Sequence, residues 1–72
     1  MQVYVNSKGV EFCAVGDVIL RTGSDVGVVK ISRITQDQLV KGIQAGIFTY
    51  HSSLTADDYI TLDAAVRVGF IE

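Results

Sequence analysis

The sequence predicts an α+β fold: a four- to five-stranded antiparallel meander followed by two short C-terminal helices, in a single domain covering residues 1–72. Three observations carry that expectation. The first half of the chain consists of Val-, Ile- and Phe-rich runs cut at short intervals by Gly, Asn and Asp, the pattern of strands joined by tight turns. The second half twice shows a Thr opening a stretch that ends in Gly, the pattern of capped helices. Neither half contains proline or a low-complexity linker.

Strands are expected over 3–5 and 10–15, with Asn6-Ser7-Lys8-Gly9 as the hairpin loop between them. Gly16-Asp17 ends the second run and 18–21 resumes it. Thr22-Gly23-Ser24-Asp25 breaks it again before 26–34. Strand side chains alternate between faces. Val10, Phe12 and Ala14 therefore oppose Glu11 and Cys13, and Val29 and Ile31 oppose Val28, Lys30 and Ser32. The pattern predicts one core face and one mixed face.

Around Thr35 three helix-start signals agree: Thr35 as N-cap, Gln38 at the capping-box position, and Ile34 with Leu39 as a hydrophobic staple. The helix is expected over 36–45, with Gly46 as its left-handed stop and 47–51 as a fifth strand. Twenty residues on, Thr55, Asp58 and the Leu54/Tyr59 staple repeat the device, and Gly69 ends it. Tyr59, Leu62 and Val66 fall on one helical face. Two helices obeying the same end rules would look alike without a duplication. The expected core is Val3, Val5, Val10, Phe12, Leu20, Val29, Ile31, Leu39, Ile43, Leu62 and Val66.

Composition narrows the chemistry. Cys13 is the single cysteine and His51 the single histidine, so a disulfide is excluded and a four-ligand zinc site disfavoured. The net charge is −2 and the six Lys and Arg are scattered, which disfavours nucleic acid as a partner. No apolar run has the length of a membrane span or a signal peptide, so a soluble, cytoplasmic protein is expected. No cofactor is expected. Cys13 and His51 are the only nucleophile and base worth pairing, but a strand Cys between Phe12 and Ala14 reads as a small apolar residue. Asp57, Asp58 and Asp63 lack a Ca²⁺-loop pattern, and the first two suit a helix N-terminus. The segment Thr22 to Gly27 has glycines four apart but leads into a strand rather than a helix, so it reads as a turn, not a phosphate loop.

Val15-Gly16-Asp17-Val18-Ile19, followed by Gly27-Val28-Val29 and Ile31, resembles the Gly-Asp and Gly-x-Val signature of SH3-like barrels, the group holding KOW and Tudor-type modules. The resemblance implies that the meander closes into a barrel and that the protein binds rather than catalyses. The basic and aromatic-cage residues of those binders are missing here, and two helices follow where a barrel adds strands. In style the chain resembles the short accessory proteins of bacteriophages.

These observations set an expectation: a small non-catalytic protein-interaction or structural accessory subunit, of phage type in the host cytoplasm or virion, working as a homo-oligomer or on a larger protein. The alternatives are a phage inhibitor of a host defence enzyme and a small-ligand or nucleotide-binding module. Apolar residues make up 49% of the chain and charged residues 19%, against roughly 25% charged in an average domain. A domain this small should need more polar covering, not less. Alternation turns Val15 and Ile19 outward, Phe48 and Tyr50 flank Thr49, and Phe70 and Ile71 lie beyond the last helix stop. Val15, Ile19, Phe48, Tyr50, Phe70 and Ile71 are the candidate protein interface. The competing expectation is that Phe48, Phe70 and Ile71 fold back to complete the core.

Overall fold

The strands and helices follow the breaks in the sequence. The computed structural model describes residues 1–23 and 29–72. It contains β1 (Gln2–Val5), β2 (Glu11–Val15), β3 (Val18–Thr22), β4 (Lys30–Ile31), α1 (Gln36–Gln44), β5 (Thr49–Ser53) and α2 (Ala56–Arg67). The sheet is antiparallel, in the order β4-β3-β2-β1-β5. The first four strands form the expected meander. The chain then crosses from one edge to the other through α1, and β5 pairs with β1. The sheet is open, with β4 and β5 as edges, so it does not make the closure implied by the SH3-like resemblance. The start of the expected 26–34 strand, residues 26–28, and most of the Thr22 to Gly27 turn lie outside the described residues.

Among the described residues, the β1–β2 turn is closed by a side chain and the β2–β3 turn by the backbone freedom of a glycine. Asn6 Oδ1 accepts from the N–H groups of Lys8 and Val10, both at 3.0 Å, closing the β1–β2 loop. Between β2 and β3, Val15 and Val18 are paired, leaving Gly16-Asp17 as a two-residue loop. Gly16 has φ +57° while Asp17 stays at negative φ, the signs of a type II′ turn.

Cross-strand register decides what each face meets. Val3, Cys13, Leu20 and Ile31 form one rung, and Tyr4, Phe12, Arg21 and Lys30 the next, on the opposite face. The Cys13 face, with Val15 and Val18, packs against Leu54, Tyr59, Leu62, Val66 and Ile71 from α2 and its flanks. The Phe12 face, with Ile19 and Ala14, packs against Ile34, Leu39, Ile43 and Phe48 from α1 and its flanks. Helices therefore cover both faces, a three-layer arrangement.

That arrangement corrects the expectation of a single core face. Val15 and Ile19, expected to point outward, are each 1% exposed, and Cys13 is buried beside them. Alternation separates the two faces correctly but cannot show that both are covered. Val29, expected in the core, is exposed.

The caps and glycine stops fall where the sequence predicts, but only α1 closes the capping box. Thr35 Oγ1 accepts from Gln38 N–H at 3.1 Å, and Gln38 Oε1 accepts from Thr35 N–H at 2.8 Å, completing a capping box. Thr55 Oγ1 accepts from Asp58 N–H at 3.2 Å. Asp58 is one methylene shorter than a Glu at that position, and among the described residues α2 shows the cap without the reciprocal bond. Both helices end in a Schellman motif around a left-handed Gly. In α1, Gly46 N–H donates to Ile43 C=O and Ile47 N–H to Gly42 C=O. In α2, Gly69 N–H donates to Val66 C=O and Phe70 N–H to Ala65 C=O.

Candidate functional site

The Schellman geometry sorts the candidate interface residues. In each helix the residue after the left-handed Gly projects outward and the next one turns under the sheet. Ile47 and Phe70 take the outward position and are exposed. Phe48 and Ile71 take the inward position and pack against the two core clusters. The Phe48 ring lies edge-on to Phe12, with centroids 5.0 Å apart. The competing expectations thus divide: Phe48 and Ile71 complete the core, while Phe70 at 86% is the most exposed large apolar side chain among the described residues.

Tyr50 sits on the edge strand β5 and is 58% exposed. Its ring stands edge-on to Tyr4, and its hydroxyl lies 2.8 Å from Ser53 Oγ. The β1–β5 register shifts between Val3, opposite Ser52, and Tyr4, opposite Tyr50, so His51 is an extra residue bulging from the strand. The bulge puts Tyr50 on the Phe12 face of the sheet and Ser52 on the Cys13 face. Of the six candidates, Tyr50 and Phe70 are on the surface, at separate places; Phe48 and Ile71 are half-buried; Val15 and Ile19 are interior.

The helix surfaces add residues that the sequence did not single out. Ile60 in α2 is 64% exposed and Val68 at its C-cap 78%. They lie on the side of α2 opposite Tyr59, Leu62 and Val66, which pack on the sheet. The i, i+4, i+8 spacing of Ile60, Ala64 and Val68 was the available signal.

Cys13 and His51 have separate surroundings. Cys13 is buried between Val3 and Leu20 on its rung, and its Sγ lies 3.8 Å from the Ala14 carbonyl. Burial raises its pKa above the ordinary 9.0, with the N-terminal ammonium opposing. His51 Nδ1 lies 3.0 Å from Ser52 Oγ and 3.9 Å from Glu11 Oε1. Asp63 pairs with Arg67 at 3.1 Å, one turn along α2. Among the described residues no cluster of His, Cys, Asp and Glu could hold a metal ion. A groove of about 550 Å³ runs along the start of α1. Its wall includes Asp17 and Asp37, whose carboxylates oppose the anion a helix N-terminus would otherwise attract. No helix among the described residues is long and apolar enough to cross a membrane.

The chain matches no protein-family model, no curated protein and no solved structure.

Proposed function

We propose that the chain is a non-catalytic protein-interaction subunit that works in association, with itself or with a larger protein. The observation that supports this is the apolar outer side of α2 and its C-terminal turn: Ile60, Val68 and Phe70 are well exposed, and the Schellman bonds hold Phe70 outward instead of leaving it to fray. Clustered apolar surface of this kind on a small domain marks a binding face. The low charged content points the same way. By its sequence style we place the subunit among the small accessory proteins of bacteriophage type, acting in the host cytoplasm or the virion.

Native mass spectrometry of the purified protein, alone and after passage over host lysate, tests the proposal. A discrete homo-oligomer or a stoichiometric complex with one protein is the expected result. A monomer that retains no protein, or one that carries an adduct of small-molecule mass, overturns it.

A further inference from the structure

Independently of the interaction proposal, we infer that the segment Phe70–Glu72 is a strap: anchored by Ile71, it closes the β4 edge of the sheet against pairing with another strand.

Ladder geometry fixes which groups of β4 are free. Ile31 stands opposite Leu20, and the Ser32 N–H donates to the Ile19 C=O at 2.7 Å. Hydrogen bonding to a neighbour alternates along an antiparallel strand, so Ile31 turns its own N–H and C=O away from β3. At an open edge such groups are a template for a further strand. Here the Ile31 N–H donates to the main-chain oxygen of Glu72 at 2.9 Å. The preceding side chain holds that contact in place. Ile71 is half-buried and packs, together with Ile31, against the cluster of Val3, Cys13, Val15 and Leu20.

The strap also starts from a fixed point. Phe70 N–H and Ile71 N–H both donate to the Ala65 C=O, at 2.8 and 3.3 Å, so the segment leaves α2 in one direction after the left-handed Gly69. Phe70 is 86% exposed and contributes no anchor, which leaves Ile71 as the apolar side chain that seats the segment. The other edge of the sheet is guarded differently. On β5 the His51 bulge interrupts the ladder, whereas β4 keeps a regular register and is covered.

Amide exchange followed by NMR, with sedimentation velocity on the same samples, tests the strap. In wild type the Ile31 amide should be protected although it lies on the outermost strand. Ile71→Asp should speed its exchange about tenfold or more while the β2 and β3 amides stay protected. Ile71→Ala should act in the same direction more weakly, and it carries the test if the Asp variant unfolds. Ile71→Val should stay close to wild type, and Phe70→Asp should leave Ile31 unchanged. Release of the edge should also make the Ile71 variants associate with rising concentration beyond the state of wild type. Adding Ile31→Pro should abolish that extra association, because proline removes the outward N–H without removing a bond to β3. Free exchange of the Ile31 amide in wild type, or exchange unchanged by both Ile71→Ala and Ile71→Asp, overturns the strap. Phe70→Asp matching Ile71→Asp overturns Ile71 as its anchor. Fast Ile31 exchange without added association, or association that survives Ile31→Pro, overturns the guarding of β4.

Discussion

The two helices use one set of end rules on opposite faces of the sheet, yet they are packed to different depths. On the α1 face Leu39 is buried, the capping box is closed, and the Phe48 ring lies against Gly42 so tightly that a Cβ there would sit 2.3 Å from ring carbons. On the α2 face no helix residue is fully buried, the cap lacks its reciprocal bond, and the position matching Gly42 is Ala65, with the aliphatic Ile71 following instead of an aromatic. Like caps and stops therefore do not imply like anchoring. What separates the helices is how far each drives side chains into the sheet, and α2 keeps part of its apolar surface on the outside.

The largest test of that difference is truncation of the central leucines. Leu39→Ala should cost about 2–5 kcal/mol, the range for a well-buried site, and Leu62→Ala, half-buried on α2, about 2 kcal/mol or less. Urea unfolding measures both, and equal losses would break the comparison. Next comes Gly42→Ala. In an open helix interior that change gains about 0.5–1 kcal/mol. Here the added methyl meets the Phe48 ring, and a net loss of about 1–3 kcal/mol is expected. Pairing it with Phe48→Leu should recover part of the loss.

The caps come third. Thr35→Ala and Thr55→Ala should each cost about 1 kcal/mol, and Thr→Ser much less. Thr35 should show the larger loss, because Gln38 loses its reciprocal position as well. The smallest effect concerns Cys13, on the α2 face. Its thiol is raised by burial, so the folded state holds the proton more tightly than the unfolded chain does. Stability should be flat below the ordinary value of 9.0 and fall as pH rises beyond it, and Cys13→Ala should remove that alkaline loss. The thiol should also alkylate slowly at neutral pH; rapid alkylation of the folded protein would show that α2 opens readily.

The sequence made local features legible. Thr35, Gln38, Gly46 and Gly69 act through bonds within a few residues of themselves, so their roles could be read directly, and the Asn6 and Gly16 turns likewise. Features set by distant partners were not legible. Val15 and Ile19 are interior only because α1 and α2 dock on opposite faces, a choice that alternation within β2 and β3 does not encode. The His51 bulge depends on the β1–β5 register, and β5 is joined to β1 only after a crossover. Among the candidate surface residues, Phe70 was legible from its place beyond Gly69. Phe48 and Ile71 were not separated from it, because the Schellman turn sends adjacent residues to opposite sides.

One small feature ties the layers together. The Gly16 N–H donates to Tyr59 Oη at 3.2 Å, and the Gly16 C=O accepts from Gln36 Nε2 at 3.1 Å. The first turn of each helix thus holds one end of the same residue in the β2–β3 turn. In hydrogen-exchange terms, Gly16 becomes a built-in reporter. Its amide should exchange whenever α2 lifts from the sheet, even with α1 in place, and Tyr59→Phe should speed that exchange while leaving the strand amides of β2 and β3 protected. Slow exchange at Gly16 would mean that α2 leaves only when the whole domain unfolds.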